Sequence, residues 1–185
     1  YQYEDSVIYG FTHTNKGHWN LCHIPLLPVT GTPTPGDYCS PFSHERESAA
    51  PGYYQVFLDR YGVDAQLSST LRCAFHKYTY PAGAAPAVLA DLQRSNEHVR
   101  AWDIRKEGDN VFAGWQQTGE KMYFYAVANR PVTGIEPVVE GDREVRIVRF
   151  GEGDGALELR IGFSFVSEKN ARENLEACLL YTSDA

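Results

Sequence analysis

Five apolar residues, Leu157, Leu159, Ile161, Phe163 and Phe165, take every second place along one stretch of this 185-residue chain. That period commits the stretch to a β-strand with one buried and one wet face, because successive side chains leave opposite sides of a pleated backbone. At Ser167 the period changes. Serine is a favoured N-cap, and Ala171, Leu175 and Cys178 then recur at helical spacing. Glu168–Arg172, Lys169–Glu173 and Arg172–Glu176 are opposite charges four residues apart, each pair supporting an exposed helix by about 0.2–0.5 kcal/mol. A sheet therefore ends near 166, and a linker helix over 167–177 leads away from it.

The rest of the chain reads as strands separated by turn residues. The pattern predicts strands over Val7–Thr12, His23–Val29, Tyr53–Arg60, Ala65–Leu71, Cys73–Tyr80 and Ala87–Asp91. It predicts more over Val99–Arg105, Val111–Gln117, Met122–Asn129 and Glu144–Phe150, ahead of Leu157–Val166. Pro51-Gly52, Tyr61-Gly62, Gly83, Gly108-Asp109 and Gly153-Asp154-Gly155 supply turns. Strands at this spacing, with one late helix, argue an all-β, mainly antiparallel fold: a two-sheet β-sandwich or supersandwich over residues 1–166. Between Pro28 and Pro51 lie five of the ten prolines. Such a long loop is either functional or interfacial, or else a covering over a sheet edge.

Composition narrows the partners. A net charge of −7 with no basic cluster excludes a nucleic-acid surface. No apolar run approaches the ~18 residues of a membrane span. Cys22, Cys39, Cys73 and Cys178 include no C-x-x-C pair, and their scatter favours free thiols over disulfides.

The densest polar constellation is His13-Thr14-Asn15-Lys16-Gly17-His18-Trp19-Asn20, with Cys22 and His23 beyond it. The spacing matches no common zinc pattern. A pyranose is gripped by an aromatic ring against its C–H face and by planar polar groups on its hydroxyls. His13, Asn15, His18, Trp19 and Asn20 offer both kinds of group as candidate substrate-binding residues. The alternative is that Trp19 and His18 pack against another domain. Trp102, Trp115, Tyr123 and Tyr125 fall inside strand patterns and read as packing. Glycoside hydrolysis needs two carboxyl groups. Asp5, Asp37, Glu45, Glu47, Asp91, Glu97, Asp103, Glu136 and Glu140 qualify by type, but none stands in a motif, so no catalytic residue is assigned.

Three blocks carry a family resemblance. "GFSFVSEKNARENLEA", "SVIYGFTHTNKGHWNLCHIPLLPVTG" from Ser6 to Gly31, and "FSHERESAAPGYYQVFLDRYGVDAQLSSTLRCAFHKYTYP" from Phe42 to Pro81 resemble, in order, blocks of the N-terminal domain of glycoside hydrolase family 92, the exo-acting α-mannosidases. Thr12 stands where the family's Ser-His-Thr block has serine, and the His-Leu-Ser-Gly continuation of other members is absent. The resemblance implies a parent that removes terminal α-mannose from glycans with inversion and with calcium. This domain would complete the substrate pocket and brace a helical catalytic domain reached through the 167–177 helix. The acid, the base and the calcium ligands would lie in that second domain, so this chain alone is expected to be inactive, to bind no calcium and to be truncated at both ends. Its partners would be α-mannoside glycans and its own catalytic domain, and its location secreted or periplasmic in a bacterium. Residues 178–185 resemble translated read-through and are expected to carry no function. The rival expectations are a stand-alone carbohydrate-binding sandwich and a purely structural domain.

Overall fold

The computed structural model describes residues 4–16 and 19–182, with only the backbone described at 15, 16, 19, 20 and 179–182. Its first strands are β1 (Val7–Ile8), β2 (Asn15–Lys16), β3 (Trp19–Asn20), β4 (Leu26–Val29) and β5 (Ser40–Pro41). A single 3-10 turn at His44–Arg46 precedes β6 (Glu47–Ala50), β7 (Tyr53–Leu58), β8 (Val63–Ser69) and β9 (Cys73–Thr79). Then come β10 (Ala87–Ala90), β11 (Ala101–Gly108), β12 (Val111–Gln117) and β13 (Lys121–Ala128). The last elements are β14 (Val132–Glu140), β15 (Arg143–Phe150), β16 (Leu157–Ser164) and the helix α1 (Glu168–Thr182).

Twelve of these strands make two antiparallel sheets, one of eight in the order β11-β12-β13-β16-β9-β8-β7-β6 and one of four in the order β14-β15-β10-β4. The inner faces share one apolar core. Rows such as Phe112–Ala126–Ile161–Ala74 cross the large sheet in register and are buried throughout. Leu26, Leu27, Val88, Leu89, Ile147 and Val148 from the small sheet join the same core. This is the two-layer sandwich that alternating patterns without a βαβ rhythm dictate.

The helix lies on the outer face of the large sheet. Ser167 caps it, its hydroxyl accepting from the Asn170 amide at 3.1 Å. Glu168 does not reach along the helix; Arg105 of β11 grips it with two bonds of 2.8 and 2.9 Å. Lys169–Glu173 and Arg172–Glu176 do pair along the helix. The close approach of helix to sheet is made at Gly162, where a side chain would strike the Ala171 carbonyl oxygen at 2.1 Å.

The structure corrects the sequence reading in several places. Phe165 is 51% exposed, because β16 ends at Ser164 and the alternation stops two residues earlier than its apolar letters do. The strand expected from His23 begins at Leu26, because Cys22 and Ile24 adopt left-handed backbone with φ of 55° and 51°. The strand β14 was not foreseen, since Gly134 and Pro137 interrupt it; at a sheet edge a proline costs no ladder bond. The helix runs on past Ala177 to Thr182.

The proline-rich segment packs onto the sandwich. Pro33, Pro35, Tyr38, Ser40 and Phe42 are buried along it. Tyr38 donates to the fully buried Asp91 carboxylate at 2.7 Å, and Arg143 holds the same oxygen at 2.6 Å. None of the four cysteines is joined in a disulfide.

Candidate functional site

A groove of about 1150 Å³ opens where the inner face of the large sheet runs out beyond the small sheet. Its floor is set by the pleat. On β9 the inward positions are Ala74, His76 and Tyr78, and on β16 they end at Phe163. One wall is the segment Phe11–Thr14, tied to β4 by the Phe11–Leu26 bridge. Phe11 stacks on Tyr78 with ring centroids 6.4 Å apart, and His13 packs on Phe163 at 4.6 Å. The far side carries the hydroxyls of Ser68, Ser69 and Thr70, and Asn170 and Asn174 look in from the helix. Glu120 is the one carboxylate along the groove among the described residues, and Arg72 is drawn to the Asn174 side-chain oxygen at 3.3 Å.

Three histidines are held here without charge. His13 Nδ1 lies 2.7 Å from the Ile24 carbonyl oxygen, and its Nε2 lies 3.2 Å from Nε2 of His76. Nδ1 of His76 lies 2.6 Å from the Tyr78 hydroxyl. Behind them His23 sits between two hydroxyls, Thr14 at 2.8 Å and Thr118 at 2.9 Å. Burial disfavours the imidazolium at all three. It lowers His13 to about 4, outweighing the hydrogen bonds that favour its charge, and moves His23 and His76 the same way.

The backbone behind the wall is strained. Left-handed φ is an outlier for a β-branched residue such as Ile24, and with Cys22 it stores on the order of 1–3 kcal/mol per residue. Gln116 over-determines the turn. Its side-chain oxygen accepts from the Ile24 amide at 2.6 Å, while its nitrogen donates to the Leu92 and Arg94 carbonyls at 3.0 and 2.9 Å. With Gln116 fully buried, each of these bonds replaces one to water.

Of the residues expected to touch substrate, His13 stands in the groove wall. Asn15 and Asn20 face each other as partners in the β2–β3 hairpin, with Trp19 opposite Lys16, directly beyond Thr14. His18 lies outside the described residues. Sequence reasoning missed His76, Tyr78, Gln116 and Thr118 at this site. The only signal for the first two was the period of β9, which sets a histidine and a tyrosine among core residues. Among the described residues no three His, Cys, Asp or Glu side chains converge on one point.

The fold and groove define an antiparallel sandwich domain that presents a surface of aromatic rings, imidazoles and hydroxyls at one end. The chain belongs to glycosyl hydrolase family 92: the model of that family's N-terminal domain matches residues 1–172. No curated protein is significantly similar to it in sequence. Among solved structures it is similar to the family GH92 alpha-mannosidase BT3965 from Bacteroides thetaiotaomicron, with a TM-score of 0.84 and 23% identity. The match covers 96% of this chain and 29% of that one. The same enzyme is known in complex with mannoimidazole (TM-score 0.83, 23% identity, 96% and 28% covered). The family GH92 inverting mannosidase BT2199 from Bacteroides thetaiotaomicron VPI-5482 matches at a TM-score of 0.78 and 22% identity, over 96% of this chain and 27% of that one. The chain thus spans less than a third of the length of these enzymes.

Proposed function

We propose that this domain belongs to a calcium-dependent, inverting exo-α-mannosidase acting on glycans, in which it completes the substrate pocket and braces a catalytic domain. The sandwich of residues 1–166 would supply the wall and the 167–177 helix the connection, with His13, Asn15, His18, Trp19 and Asn20 meeting the sugar. The acid, the base and calcium would come from the remainder of the parent. The observation that carries this reading is the position of the Thr12–Thr14 segment, part of a block that resembles the family's own, in the wall of a groove lined by aromatic rings and hydroxyls. The mannoimidazole complex of a relative sharing the fold adds weight, since mannoimidazole is a mannose-shaped ligand.

In the parent enzyme, Trp19→Ala should lower kcat/KM about tenfold or more, on the order of 1.4 kcal/mol of transition-state binding. The isolated chain should release no mannose from an aryl α-mannoside, with or without calcium. Unchanged kinetics in Trp19→Ala, with only a shift in unfolding, would make the hairpin structural and overturn the site.

A further inference from the structure

The hydrogen bonds that cross the groove wall have only one consistent direction. A carbonyl oxygen can only accept, so the proton between Ile24 and His13 belongs to His13 Nδ1. A neutral imidazole carries a single N–H, so His13 Nε2 must then accept, and the proton in the His13–His76 contact belongs to His76 Nε2. His76 Nδ1 must accept in turn, and the Tyr78 hydroxyl is its donor. The chain therefore runs from Tyr78 through His76 and His13 to Ile24, with every nitrogen used once. The two ring planes are nearly parallel, inclined by 14° with centroids 5.1 Å apart. The acceptor that fixes this direction is the carbonyl of a residue in strained left-handed backbone, pinned by Gln116.

We infer that the strained Ile24 carbonyl polarises this chain and so fixes His13 as a neutral wall with no free ring nitrogen, which meets an uncharged pyranose through its C–H edge and ring face alone. His76 and Tyr78 are then positioning residues: they touch no substrate and act through His13. This deepens the mannoside reading, on which it rests for the identity of the sugar. The protonation pattern itself is independent of any ligand.

The test is a long-range proton–nitrogen correlation spectrum of the labelled chain near neutral pH, which shows directly which ring nitrogen carries each proton. His13 should be protonated at Nδ1 and His76 at Nε2, each as a single tautomer. Tyr78→Phe should leave both tautomers as they are, because the direction is set at the Ile24 end. A His13 protonated at Nε2, or a mixture of tautomers in the unmodified chain, overturns the inference. Mixing that arises only in Tyr78→Phe also overturns it, since the anchor would then be the tyrosine. Titration with methyl α-mannoside is a separate readout. Movement of the His13 ring carbons and their protons with both nitrogens unmoved supports the inference, and direct engagement of a His13 nitrogen overturns it. If no resonance of the groove moves, the mannoside reading fails while the tautomers still decide this one.

Discussion

At Gly162 the outer face of the large sheet leaves no space for even a methyl group. An added Cβ would lie 2.1 Å from the Ala171 carbonyl oxygen and 2.8 Å from the Leu175 Cβ, both belonging to a packed helix. The glycine serves space and not backbone geometry, so relief must come from moving the helix. Gly162→Ala should therefore cost about 1–3 kcal/mol in urea unfolding, where a surface strand glycine would gain from the same change. An unaltered midpoint would mean that the helix slides freely on the sheet. Residue-level features of this kind were the least legible in the sequence. Nothing in the letters around Gly162, His76 or Gln116 announces what stands opposite them. Ala171 reaches Gly162 only once the helix folds back on the sheet, while His13 and Ile24 are far away along the chain from His76 and Gln116.

Elements were far more legible, because a strand or a helix is written in its own few residues. The alternation of β16 and the change of period at Ser167 placed both elements, and the cap formed as expected. What failed was termination. Phe165 continues the alternation in letters, yet the chain leaves the sheet before it to bring Ser167 to the helix start. The edge strand β14 was hidden by a glycine and a proline that an edge tolerates. The two faces of β16 can be told apart by mutation. Ile161 is fully buried against Ala126 and Ala74, so Ile161→Ala should cost roughly 2–5 kcal/mol. Arg160 points to solvent on the other face, and Arg160→Ala should cost under about 1 kcal/mol. Chemical denaturation of the two variants checks this, and equal losses would show both faces to be covered.

For the molecule as a whole, acid is the revealing perturbant. Below about pH 6.5 an unfolded chain takes protons on His13, His23 and His76. The folded chain resists, since burial holds all three imidazoles below their ordinary value, His13 at about 4. The unfolded state then binds more protons, so this stability is complete above the unfolded value and is lost as pH falls through it, until the native form also protonates. The loss approaches about 1.4 kcal/mol per pH unit for each imidazole that stays neutral. Calorimetry should show Tm falling between about pH 7 and about pH 5, and a flat Tm across that range would contradict the buried neutral state. The sandwich was readable at this scale because its strands declare themselves one by one and share one core. The groove was only half readable. The His13–Asn20 block could be picked out by its chemistry, but its floor comes from β9 and β16.

That floor has a consequence for how the protein is made. His13 rests on Phe163, and Phe11 on Tyr78, so the earliest part of the chain leans on some of the latest. A ribosome delivers residues from the N-terminus onwards, and the first segment emerges long before the last strand that it must cover. Until β16 is released, β9 and β13 lack the neighbour that joins them, and the large sheet stands as two halves with their facing edges bare. Closing so distant a pairing is slow, and bare strand edges invite the wrong partner meanwhile. A nascent chain halted before Leu157 is therefore a sticky intermediate, and this is the stage at which a chaperone has the most to shield.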